Sequence, residues 1–91
     1  MKRDFRNAFN ALQKLGVPVR ETNDGERFWI SAEDSESYKF VDYYDGYRIP
    51  DWEFGVSPVI TKTLDKYGLF AEWQNPAQLN VWKDWLCKII E

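Results

Sequence analysis

The sequence predicts an α+β fold, a small antiparallel sheet of about four strands packed with two to three helices. Three observations predict it. Apolar residues recur at helical spacing in two short segments, each segment stops at a glycine, and each is followed by residues that alternate apolar and polar. The order helix, stop, strand, turn, strand is thus written twice and admits an αββ-αββ pseudo-repeat.

Phe5, Ala8, Phe9, Leu12 and Leu15 form the apolar stripe of the first helix, about three turns long, with Asp4 at the position of an N-terminal cap. Gly16 supplies the left-handed stop, Val17 can close back on Leu12, and Pro18 forbids continuation. Val17 and Val19 then alternate with Pro18 and Arg20, and Asn23-Asp24-Gly25 offers the positive φ angles of a tight turn. A β-hairpin follows, with Phe28 and Ile30 on one face and Arg27, Trp29 and Ser31 on the other. Ala32 to Ser37 is polar and acidic, as a loop would be.

The second half repeats these signals. Ser57 caps a helix with Pro58 at its first position, Ile60, Leu64 and Tyr67 form its stripe, and Gly68 ends it with Leu69 placed against Leu64. Leu69, Ala71 and Trp73 then face one way, Phe70 and Glu72 the other. Asn75-Pro76-Ala77-Gln78 reads either as a turn into a strand over 78–82, with Leu79 and Val81 inward, or as the capped start of a helix. The strand is the favoured reading. Trp82, Trp85, Leu86, Ile89 and Ile90 predict a C-terminal helix in either case.

The length of 91 residues predicts one domain spanning 1–91, and a chain this small buries only about 60 to 68% of its unfolded surface. Sixteen aromatic residues, five of them tryptophan, supply the core that size alone would not. Cys87 is the only cysteine, so no internal disulfide can staple the chain, and a reducing compartment fits. No secretory pattern or membrane span is visible, which predicts a soluble cytoplasmic protein without a membrane partner.

The net charge of −3 is unevenly spread. Residues 1–20 carry Lys2, Arg3, Arg6, Lys14 and Arg20 against Asp4, whereas 21–55 carry ten acidic residues against Arg27, Lys39 and Arg48, a balance of −7. Such a middle repels phosphate backbones, so nucleic acid is disfavoured and a basic partner preferred.

The chain has no histidine, which removes the commonest general base and metal ligand. Cys87 has no base beside it. The carboxylate pairs Asp42 with Asp45 and Asp51 with Glu53 lack anything to fix the separation that acid and base roles require, and they lack calcium-loop spacing. The expectation is therefore no enzyme, no metal and no cofactor.

Residues 38–54 interleave Tyr38, Phe40, Tyr43, Tyr44, Tyr47, Trp52 and Phe54 with Asp42, Asp45, Asp51 and Glu53. Rings give contact area at low entropic cost and carboxylates give direction, a combination suited to recognition. The predicted binding set is Asp42, Tyr43, Tyr44, Asp45, Tyr47 and Trp52. A second row, Trp29, Phe70 and Trp82 beside Arg27, Ser31, Glu72 and Asn80, occupies the outer sheet face, and residues 38–54 are expected to fold over it.

The function expected is a small non-enzymatic interaction module docking a basic patch of a partner protein. Alternatives are a module stacking a sugar or single-stranded base, and an acidic mimic of nucleic acid. Size, tryptophan content and the missing catalytic signature resemble small accessory proteins of phages or mobile elements, a resemblance of type that carries no residue over. A homodimer through the apolar C-terminal segment is a further expectation.

Overall fold

The computed structural model describes residues 1–83. Helix α1 (Arg3–Lys14) leads into strands β1 (Val19–Glu21) and β2 (Phe28–Ser31), and helix α2 (Pro58–Lys66) into β3 (Leu69–Asn75) and β4 (Gln78–Lys83). Single 3₁₀ turns at Ser37–Lys39 and Gly46–Arg48 punctuate the long connection. The strands form one antiparallel sheet in the order β1-β2-β4-β3. Exchanging the two hairpins leaves that order unchanged, so the αββ-αββ pattern extends from element sequence to strand arrangement.

The glycine stops act as their spacing implies. Gly16 has φ 89° and Gly68 φ 71°; Gly16 N–H donates to the Gln13 carbonyl at 3.1 Å and Val17 N–H to Leu12 at 3.0 Å, which satisfies carbonyls the helix leaves open. Ser57 Oγ accepts from Val59 N–H at 3.2 Å and begins α2 with Pro58 behind it. Asp4 departs from expectation. Lys2 occupies the cap position and makes no side-chain bond, while Asp4 lies in the first turn and accepts from Lys83 Nζ at 2.8 Å. That hydrogen bond holds the Asp4 carboxyl below its ordinary range and clamps α1 to the end of β4.

Strand register gives the sheet two faces. Val19, Ile30, Leu79 and Trp73 lie in one row across it, and Phe28, Val81, Ala71 and Leu69 share their side. Both helices cover this face, with Phe28 meeting the edges of Phe5 and Phe9 at ring separations of 6.4 and 5.6 Å, and Ile60 and Leu64 of α2 completing the same buried cluster. T-shaped packing satisfies the ring quadrupoles as well as burying area. The other face carries Arg20, Trp29, Asn80 and Glu72 in one row, with Phe70 paired to Trp82 in the next. Arg27 stacks over Trp82 with its guanidinium 4.0 Å from the ring centre.

The two sheet edges differ. β1 is three residues long, and its charged side chains are engaged, Arg20 with Asp34 at 2.6 Å and Glu21 with Arg6 at 3.5 Å. The Ser31 hydroxyl and then Arg20 hold the Asp34 carboxyl below its ordinary range. β3 is seven residues long and, among the described residues, ends the sheet on the other side.

Residues 76–82 resolve as a turn and a strand, and Trp82 belongs to β4, not to a helix. The rest of the expected C-terminal helix, with Cys87, lies outside the described residues. None of the helices among the described residues is long and apolar enough to cross a membrane.

Candidate functional site

The connection from β2 to α2 is anchored at both ends before it reaches its aromatic stretch. Ser37 Oγ–H, buried, donates to the Ser31 carbonyl at 2.7 Å, and Ala32 N–H donates to Ala77 at 2.9 Å. Val41 and Val56, both buried, form an isolated antiparallel bridge, and Ser57 N–H donates to the Phe40 carbonyl at 2.8 Å. These bonds close residues 42–55 into a loop with its ends together.

Two glycines let the loop fold on itself. Gly46 and Gly55 pack backbone to backbone, and a Cβ on either would collide with main chain. Asp42 N–H donates to the Gly55 carbonyl at 2.8 Å and Gly46 N–H to the Asp42 carbonyl at 3.0 Å, so the three residues knot the base of the loop. The Asp42 carboxylate is used in the same turn, its Oδ1 accepting from Tyr44 N–H at 3.0 Å and Asp45 N–H at 3.1 Å. Asp42 thus shapes the loop first and offers only what remains of its carboxylate to solvent.

Glu53 and Val56 exchange backbone bonds, Glu53 N–H to Val56 at 3.1 Å and the reverse at 2.9 Å, around Phe54 at φ 52° and Gly55 at φ 77°. Two positive φ angles between a bonded pair are the signature of a type I′ turn, whose first central position favours Asn, Asp or Gly. A phenylalanine there is strained, at a cost of about 1 to 3 kcal/mol. It recovers nothing by burial, since Phe54 is 87% exposed.

Trp73, on the helix-covered face of β3, holds this turn in place. Its indole Nε1–H donates to the Phe54 carbonyl oxygen at 2.7 Å, and its ring meets Tyr43 edge-on at 5.3 Å. Tyr43 meets Tyr44 in the same way at 5.3 Å, and these two tyrosines are 46% and 68% exposed. Tyr44, Tyr43 and Trp73 therefore follow one another in edge-on contacts at the far end of β3, and Phe54, tied to Trp73 through its backbone carbonyl, adds its exposed ring to this ridge.

The structure thus divides the predicted set. Tyr43 and Tyr44 stand in the ridge, Asp45 is exposed beside them, and Asp42 braces the turn below. Tyr47 is exposed but pairs with its neighbour, Arg48 Nε donating to its hydroxyl at 3.1 Å, and Trp52 is half-buried, its N–H bonded to the Ile49 carbonyl at 3.2 Å. Neither shares a ring contact with the ridge. Phe54 and Trp73 were absent from the expected set. Alternation along 69–73 marks Trp73 as inward-facing, and Gly55 suits the second central position of the turn while Phe54 at the first gives no sign of it.

The expectation that residues 38–54 cover Trp29, Phe70 and Trp82 is not met. The loop reaches the sheet from the helix side, through Trp73 and the Val41–Val56 bridge, because Val41 and Phe40 join the core there. Trp29 and Trp82 are instead half-buried on the outer face, Trp82 under Arg27, and Phe70 is exposed. Among the described residues no three carboxylates gather where one cation would reach them. The chain matches no protein-family model, and neither a curated protein nor a solved structure matches it.

Proposed function

We propose that the chain is a non-enzymatic interaction module that docks a basic surface of a partner protein on the ridge of Tyr44, Tyr43, Trp73 and Phe54. One observation carries this reading. Phe54 is held in a strained backbone conformation with its ring almost wholly in solvent, on a loop that also exposes Asp45, Asp51 and Glu53. Strain that gains no packing within the fold points to a role outside it. Rigid rings serve as anchors and the surrounding carboxylates steer and orient a positively charged partner.

Capture of partners from cell extract, compared between the wild type and Tyr44→Ala and Phe54→Ala, tests the reading. Both residues are exposed, so both variants are expected to fold and to lose the wild-type partner. Capture of the same partners at wild-type yield by both folded variants would sink it.

A further inference from the structure

A groove of about 850 Å³ runs beside β3, and its wall includes Leu69, Phe70, Ala71, Glu72 and Trp73 without a gap. Successive strand residues point to opposite faces, so a groove touching all five follows the edge of the backbone and not one face of the sheet. β3 is bonded to β4 on one side, and no described residue pairs with the other. The facing wall is α2, through Thr61, Leu64 and Asp65, and Phe54 also lines the groove.

A seven-residue edge of this kind leaves backbone donors and acceptors without partners among the described residues, and a peptide that adds as a strand is a ligand that satisfies them. We infer that β3 receives an extended segment of a partner protein as a fifth strand, and that this segment carries a lysine or arginine between two apolar residues. The inference rests on the reading of the chain as a protein-interaction module and gives its partner a form.

The pattern of the segment follows from the edge. Glu72 points to the outer face beside Phe70, while Ala71 and Trp73 point toward α2. An incoming strand alternates likewise, setting one side chain against Glu72 and its two neighbours into the apolar groove near Leu64, Ala71 and Trp73. The charged groups around the groove are Glu53, Asp65 and Glu72 against Lys62, three acids to one base, which favours a basic residue on the segment. A second copy of the chain fits less well. β3 paired antiparallel with itself about its midpoint would set Glu72 against Glu72.

The test uses the full chain, isotopically labelled, and a capped seven-residue peptide alternating valine and lysine. Titration is expected to move the amide resonances of residues 69–75, and Glu72→Lys, at an exposed position, is expected to weaken binding about fivefold. Two further peptides, N-methylated at odd or at even positions, keep every side chain but lose the donors of one edge; one of them is expected to bind at least about tenfold more weakly. Equal affinity for all three peptides, with resonance shifts confined to Tyr43 and Tyr44, would overturn strand addition and leave the ridge as the docking surface. Absence of binding at millimolar peptide would also overturn it, and the capture experiment with Tyr44→Ala then decides the module reading separately. A concentration-dependent dimer with contacts between two β3 strands would give the edge to a second copy and overturn the partner segment.

Discussion

Trp73 and Phe54 are joined by one hydrogen bond, from an indole N–H to a backbone carbonyl at 2.7 Å, and that bond spans the gap between the sheet and the loop that bears the exposed rings. The two residues lie 19 positions apart. Through this contact the strand end fixes the loop's height and direction, so that sheet edge and aromatic ridge behave as one surface.

Trp73→Phe keeps an aromatic ring on the strand and removes only the donor. Stability is expected to fall by about 1 kcal/mol, the usual net worth of such a bond. Urea unfolding should show a lower midpoint at an unchanged slope, because the buried area hardly changes. Nuclear Overhauser contacts between the residue 73 ring and Tyr43 should weaken as the turn drifts.

Phe54→Asn places a residue suited to the first central position of a type I′ turn where Phe54 now sits at φ 52°. Stability is expected to rise by about 0.5 to 1 kcal/mol, since the strain is relieved and almost no buried area is lost. Partner capture should fall at the same time. A variant more stable yet less able to bind is the outcome that a purely structural phenylalanine would not give.

Gly46→Ala forces a methyl group into the Gly55 backbone and is expected to cost about 1 to 3 kcal/mol as the loop is pushed off its base. Gly25→Ala makes the comparison, since φ 71° is unfavourable to alanine but no atom lies near the added carbon; it should cost about 1 to 2 kcal/mol. Only Gly46→Ala should alter the tyrosine resonances of the ridge.

The Asp4–Lys83 pair gives a pH signature. Hydrogen bonding to Lys83 lowers the Asp4 pKa in the folded state below 3.8, so its contribution is fully present above that value and is lost as pH falls through the lowered folded pKa. The pair is partly exposed, with side-chain exposures of 47% and 37%, and solvent screening limits its worth to about 1 kcal/mol or less. Wild type should exceed Asp4→Asn in urea midpoint at pH 7, and the difference should shrink as pH falls below 3.8 and on through the lowered folded pKa.

Where a structural choice depends on neighbours in sequence, the residues announce it. Gly16 and Gly68 stop their helices, Ser57 caps, and alternation assigns Phe28, Ile30, Leu69 and Ala71 to the correct face. Phe54 was illegible for the opposite reason. Its conformation is imposed by the Val41–Val56 bridge and the Gly46–Gly55 contact, partners distant in sequence, against the preference of the residue itself. Trp73 was half legible, because alternation gives its face but not its hydrogen bond to a carbonyl 19 positions earlier. Composition also could not separate Tyr43 and Tyr44 from Tyr47 and Trp52. That division is made by which rings the loop's knot brings to the strand end, and by Phe40 and Val41 drawing the loop to the helix side.

The contrast between the two sheet edges sets a limit on assembly. β3 offers a long side to an added strand, whereas β1, at the opposite edge, is three residues long with its charges already committed. The sheet is thus lopsided, with one long side suited to accept a strand and one short side occupied by its own ion pairs, and the proposed partner segment has a single place to add among the described residues.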